Sequence, residues 1–221
     1  MAAPRSYLEP IPAEWFPAGL DPATARVMGA DEVGRGALIG PLVLGACVLP
    51  AGWIPEGLRD SKLTTPAARE RIARELLDRA ECWIEEVPAP EIDRFGIGRA
   101  NQTGFARLVE RACADLALID GNLRLPTARP YRSIVKGERF APVAAASILA
   151  KWYRDTLMAA LEAALPGRGF AQAGYPTAQN IAAIARFGRT PWHRNSFRIT
   201  ALGEQAIPAS REALLGAKET S

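Results

Sequence analysis

The sequence predicts an α/β protein built on a mixed β-sheet flanked by helices. Three observations carry that expectation. Short apolar stretches of strand length alternate with longer stretches of helical periodicity. Two of the short stretches run into an acidic residue, Asp31 and Asp120, with a glycine turn close behind. The 221 residues, 48% hydrophobic and 23% charged, have the balance of a folded chain with a real core.

In chain order, residues 1–25 are rich in Pro and Ala and read as an extension wrapping loosely before the first strand. Residues 26–30 lead into Asp31-Glu32, and residues 38–49 form an apolar stretch interrupted by Gly40, Pro41 and Gly45. These read as neighbouring strands joined through the Gly34-Arg35-Gly36 turn. Thr64-Thr65-Pro66 opens a helix, with a threonine cap and proline at the first helical position. It should run to about Arg79, with Ile72, Leu76 and Leu77 on one face. Residues 82–87 suit a strand ended by Pro88 and Pro90, and residues 99–114 a second helix with Phe105, Leu108 and Val109 apolar. Residues 116–119 form a short buried strand delivering Asp120 before the Gly121-Asn122 turn, and residues 133–136 form another strand. An Ala- and Leu-rich helix follows over 142–165, stopped by Pro166 and Gly167, and a last helix over 177–187 is capped by Thr177. The expected organisation is an extension (1–25), a catalytic domain (26–200) and a short frayed tail (201–221).

The net charge of +3 is small, but its distribution is uneven. Residues 123–200 hold twelve Lys or Arg against three acids (Glu138, Asp155, Glu162), a local +9, which leaves −6 for the rest. Such a block fits a polyanionic partner, whose condensed counterions are released by phosphate contacts, and equally fits a solvated basic surface. Cys47, Cys82 and Cys113 match no zinc spacing and read as reduced thiols in a reducing compartment. Without a secretory signal pattern or an apolar run of spanning length, the chain reads as cytoplasmic with no membrane partner.

Carboxylates stand where hard divalent cations such as Mg2+ or Mn2+ would want oxygen ligands: Asp31-Glu32 after one strand, Asp120 after another, Asp155 within a helix. Phosphodiester hydrolysis by two ions needs such acids clustered. Each alone is equally a turn-former, a cap or an exposed helix residue. Ser147, Lys151 and Asp155 follow at intervals of four along one helix face. That stripe is either an ion pair beside a serine or a phosphate-facing row that ends at a metal. Gly34-Arg35-Gly36 is either a tight turn or a close backbone approach to a phosphate or sugar. Tyr175 either packs its loop or stacks on a base or sugar. His193, the only histidine, reads as a packing or hydrogen-bonding residue, because no nucleophile elbow accompanies it.

Taken together, several segments resemble the ribonuclease HII family. They are Gly29-Ala30-Asp31-Glu32-Val33-Gly34-Arg35-Gly36 with Gly40-Pro41, Asp60-Ser61-Lys62-Leu63, Ile119-Asp120-Gly121-Asn122 and Val135-Lys136-Gly137. Residues 144–151 with Arg154-Asp155, Gly174-Tyr175 with Thr177, and Thr190-Pro191 with His193-Arg194 and Ser196-Phe197 complete the series. The resemblance implies a ribonuclease H-like fold and a metal site of Asp31, Glu32, Asp120 and Asp155 that takes Mg2+ or Mn2+. It implies hydrolysis of RNA in RNA/DNA hybrids, and of duplex DNA 5′ to an embedded ribonucleotide, giving 3′-hydroxyl and 5′-phosphate ends. It further implies that the backbone of Gly34, Arg35 and Gly36 reads the 2′-hydroxyl, the group by which RNA differs locally from DNA. Tyr175 would stack on the junction sugar, and Ser61, Lys62, Ser147 and Lys151 would lie near phosphates. Family members commonly carry a basic segment where Gln172-Ala173 stands here, and a second lysine where Leu63 stands, so two positive positions are missing. A type 1 ribonuclease H or a junction resolvase fits poorly, because Gly-Arg-Gly directly follows Asp31-Glu32. A binding module without catalysis fits poorly, because all four acids are retained. No clear sliding-clamp motif stands at the tail, no protein partner is indicated, and a monomer is expected.

Overall fold

The computed structural model describes residues 8–58 and 64–203, apart from the side chains of Ala171 and Gln172. Five strands form one mixed sheet: β1 (Val27–Val33), β2 (Leu42–Val48), β3 (Glu81–Val87), β4 (Leu116–Asp120) and β5 (Tyr131–Ile134), in the order β3-β2-β1-β4-β5. β1 pairs with β4 and β4 with β5, both parallel. Among the described residues five α-helices accompany them: α1 (Pro66–Arg79), α2 (Ala89–Phe95), α3 (Ile97–Ala112), α4 (Ala141–Ala164) and α5 (Ala178–Phe187). No helix among the described residues is long and apolar enough to cross a membrane.

The local signals explain most boundaries. Thr65 caps α1 by accepting the Ala68 N–H at 3.3 Å, with Pro66 in the first turn, where no N–H is needed. Thr177 caps α5 in the same way, accepting the Asn180 N–H at 3.3 Å, and Gly188 with φ 75° closes it. Several expectations shift: β1 continues through Asp31 and Glu32 to Val33, and β2 begins only at Leu42. Pro88 and Pro90 do more than end β3: they open the short helix α2, since a proline lacking its N–H loses nothing in a first turn. The fifth strand lies two residues earlier than the apolar pattern suggests, because Lys136 takes a left-handed conformation (φ 60°) and starts a 3-10 turn. The extension is also anchored: Trp15 meets Phe140 edge-on at 5.3 Å, and Ile11 and Phe16 join the same apolar cluster.

The chain divides into two compact units. The first comprises Met1–Val33, Leu44–Glu85 and Gln102–Trp152, and contains the inner strands. Its core places Leu116, Leu118, Ile134, Phe140 and Val143 in one cluster, and Cys47, Ile72, Leu76, Ile148 and Leu149 in another. α4 lies very close to the sheet because two glycines make room: a Cβ on Gly29 would come within 2.0 Å of the Pro142 backbone, and one on Gly45 within 2.7 Å of the Ala146 carbonyl. The second unit comprises Gly34–Val43, Glu86–Asn101 and Tyr153–Ser221. Its core gathers Leu38, Ile39, Met158, Phe170, Ile184 and Ile199.

Candidate functional site

In the first unit, Asp31 lies on β1 and Asp120 ends β4. The parallel register pairs Ala30 with Ile119, so the next residue on each strand is one of the two aspartates, on a shared face. Each carboxylate is held from a different side. Asp31 accepts the Glu32 N–H at 2.7 Å and a hydrogen bond from the Ser147 side chain of α4. Asp120 accepts the Gly137 N–H at 2.6 Å through Oδ1. The Gly29 approach sets α4 onto β1 two residues before Asp31, which is why Ser147 reaches that carboxyl.

Burial raises the Asp31 carboxyl from 3.8 to about 6, and the neighbouring charges of Asp120 and Glu138 push the same way. The Ser147 and Glu32 hydrogen bonds oppose this without overcoming it. A desolvated carboxylate facing a second one is an unfavourable arrangement by itself and a suitable one for a divalent cation, which supplies the missing positive charge through oxygen ligands. The donor set of this pair therefore fits Mg2+ or Mn2+. Glu32 follows on β1, half-buried. Among the described residues, no group of three or more His, Cys, Asp or Glu side chains is spaced to hold a metal ion. α4 is unbroken, so Ser147, Lys151 and Asp155 do lie at successive turns of one helix, all three engaged by other groups. Ser61 and Lys62 fall outside the described residues.

In the second unit, Gly34-Arg35-Gly36 follows the end of β1 as a turn in which Ala37 N–H donates to Gly34 C=O at 3.2 Å. Gly34 must be glycine twice over: its φ is +86°, and a Cβ would lie 2.2 Å from Arg154 Nε. Arg35 and Gly36 are exposed. Tyr175 is half-buried, with the Arg154 guanidinium 5.7 Å from its ring centre, and its carbonyl accepts Thr177 N–H at 2.7 Å and Asn180 Nδ2–H at 2.8 Å. Leu38 N–H donates to Gly174 C=O at 2.9 Å, so the segment before Tyr175 is tied to the loop that carries the turn. His193 is buried and accepts Thr190 N–H through Nδ1 at 2.6 Å, the packing and hydrogen-bonding part expected of it.

Sequence reading passed over Arg154 and Arg194 as site residues, yet both are completely buried. One signal was present for Arg154. It follows Ala146 and Ala150 and precedes Met158 at intervals of four, so a charge interrupts an apolar stripe. Arg194 lies in irregular structure with no periodicity to betray it. Glu138, too, was counted only as surface charge, although it lies close enough to act on Asp31.

The family model described as Ribonuclease HII matches residues 28–200. A ribonuclease HII of Chlorobaculum parvum is 44% identical over 191 residues, spanning 82% of this chain and 93% of the relative. That of Ruegeria pomeroyi is 45% identical over 179 residues, spanning 78% and 76%. Among solved structures, the RNase HII of Archaeoglobus fulgidus, determined in a complex with PCNA, superimposes with a TM-score of 0.68 at 22% identity, over 83% of this chain and 98% of that one. Bst-RNase HIII in complex with Mn2+ gives 0.63 at 21%, over 89% and 71%. At such identities these two likenesses concern the ribonuclease H-like fold.

Proposed function

The chain belongs to the ribonuclease HII family, a nuclease that hydrolyses RNA paired with DNA, and from that premise we propose that it also nicks duplex DNA 5′ to an embedded ribonucleotide, leaving 3′-hydroxyl and 5′-phosphate ends. The observation that carries the reading is the Asp31–Asp120 pair, two carboxylates on adjacent parallel strands with one of them raised to about 6. Asp31, Glu32, Asp120 and Asp155 are the residues that would hold the divalent cations, Mg2+ or Mn2+. Those ions supply Lewis acidity that eases deprotonation of the attacking water and stabilises the departing oxygen. The chain's own residues do the rest. Ser147 and the Glu32 N–H orient Asp31, and the Gly137 N–H fixes one oxygen of Asp120, leaving the other oxygen for a ligand. Lys151 and Lys62, with Ser61 and Ser147, are assigned to the substrate backbone.

The Gly34-Arg35-Gly36 turn is the proposed reader of the 2′-hydroxyl, and Tyr175 the ring that fixes the junction sugar. The free thiols Cys47, Cys82 and Cys113 support a reducing, cytoplasmic setting. The decisive assay is a DNA duplex carrying one ribonucleotide, incubated with Mg2+ and, separately, with Mn2+. We expect a single nick on the 5′ side of the ribonucleotide. A protein that degrades uniform hybrid and leaves this duplex intact would refute the junction reading.

Salt supplies a second expected outcome. Of the twelve Lys or Arg in residues 123–200, Arg154 and Arg194 are buried, and engagement of two or more phosphates by the others gives a log–log slope of about −1.8 or steeper. Raising NaCl from about 50 to 200 mM should then weaken duplex binding roughly tenfold. Affinity unchanged across that range, followed by fluorescence anisotropy in EDTA, would mean that the basic block does not track the backbone.

A further inference from the structure

Arg154 and Arg194 are fully buried, and among the described residues neither pairs with an acid. Their donors go to main-chain carbonyls. Arg154 donates from Nε to Pro41 C=O at 3.1 Å, from Nη2 to Ile39 C=O at 3.0 Å and from Nη1 to Ala173 C=O at 2.7 Å. Arg194 donates from Nε to Gly40 C=O at 3.1 Å and from Nη1 to Arg35 C=O at 2.9 Å, while its Nη2 has no hydrogen-bond partner among the described residues. Asp93 is within electrostatic reach of Arg194, but its oxygens are taken by Asn195 N–H and by the N–H and hydroxyl of Ser196. Asp155 acts on Arg154 through its charge without forming an ion pair among the described residues. A buried cation held by carbonyls rather than by an ion pair is costly and is retained only where its hydrogen bonds do something specific.

Two of the five carbonyls show what that is. A trans peptide is planar, with its C=O and the following N–H on opposite sides. Arg194 draws the Arg35 carbonyl inward, so the Gly36 N–H of the same peptide must face outward. Gly36 is exposed, and its N–H makes no hydrogen bond among the described residues. Arg154 does the same to the peptide between Ala173 and Gly174, immediately before Tyr175, and its remaining bonds hold Ile39 and Pro41 in the loop between. The pair thus fixes one peptide plane in each of the two segments assigned to the ribonucleotide.

We propose that Arg154 and Arg194 are positioning residues for ribonucleotide recognition, aiming the Gly36 amide and the Tyr175 segment at the substrate from beneath. The proposal rests on the junction reading given above, and extends it to two residues that never touch the nucleic acid. Losing the aim leaves phosphate attraction intact, so the effect belongs to discrimination rather than to affinity in general.

The test measures binding in EDTA to two duplexes, one all-DNA and one with a single ribonucleotide, for the wild type, Arg194→Lys and Arg154→Lys. Lysine keeps the charge, but its three donors radiate from one nitrogen and cannot span carbonyls spaced for a planar guanidinium. The wild type should prefer the ribonucleotide duplex, and if it does not, the junction reading itself fails. Given that preference, each lysine variant should reduce it at least fivefold with all-DNA binding within twofold. An unaltered preference, or an equal loss on both duplexes, overturns the proposal alone. Should the variants not fold, amide exchange of the wild type decides. The Gly36 N–H should become protected with the ribonucleotide duplex and not with the all-DNA duplex. A Gly36 amide equally exposed in both complexes overturns the proposal.

Discussion

Asp31→Asn and Asp120→Asn are each expected to lower kcat by about 10^3-fold or more on a uniform RNA/DNA hybrid, at least ~4 kcal/mol of transition-state stabilisation, while the fold survives. The reason is charge. An amide of nearly the same shape keeps the packing, and at Asp120 it can still accept the Gly137 N–H, but it cannot neutralise a divalent cation. Stability should move the other way for Asp31. Its folded-state carboxyl is raised from 3.8 to about 6, so the folded protein holds this proton more tightly than the unfolded chain does. That contribution is fully present below about pH 4 and is lost as pH rises through about 6, after which the buried charge costs up to about 3 kcal/mol. Asp31→Asn removes the cost. In metal-free buffer at pH 7.5 the variant should melt several degrees above the wild type, at about 2–4 °C per kcal/mol for a chain of this size. Near pH 4 the difference should shrink towards zero. Turnover within tenfold of wild type would disqualify the carboxylate as a metal ligand, and a lower melting temperature at pH 7.5 would show that its burial is not costly.

Tyr175→Ala is expected to slow nicking of a single-ribonucleotide duplex by about ten- to a hundredfold, and cleavage of a uniform hybrid by less. Stacking contributes about 1–3 kcal/mol per base in single-strand binders, and 1.36 kcal/mol is a factor of ten. A uniform hybrid offers many registers, so the loss of one sugar's alignment is diluted there. Tyr175→Phe retains the ring and should stay within a few-fold of wild type on both substrates. The alanine variant also removes the ring that lies 5.7 Å from Arg154, so its melting temperature belongs beside the rates. Equal rates for alanine and wild type on both duplexes would leave Tyr175 as a residue that merely packs its loop.

Much of this protein could be read without a structure, and particular residues show why. Thr65-Pro66 and Thr177 announced two helix starts, because a side-chain cap and a missing N–H are local chemistry. Residues 116–119 announced β4 and placed Asp120 at its end, because a short apolar run before a glycine turn has few other conformations. β5 ends two residues earlier than the apolar pattern suggests, because Lys136 is left-handed, a conformation no propensity of lysine favours. Pro88 and Pro90 were equally ambiguous, since a proline ends a strand and begins a helix with the same fixed φ.

The sequence by itself determined the alternation of strands and helices and the order of motifs that marks the family, and it singled out the acids proposed as metal ligands. All of these are written in residue type and short-range spacing. Only the tertiary structure decided that Asp31 and Asp120 stand side by side with Ser147 and Gly137 upon them, and that two arginines lie buried under the Gly34-Arg35-Gly36 turn and the approach to Tyr175. Burial and strand pairing join residues about ninety to a hundred and sixty positions apart, as with Asp31 and Asp120 or Arg35 and Arg194. An arginine has the same letter whether water or, as for Arg154, three carbonyls surround it, and only the packed chain determines which.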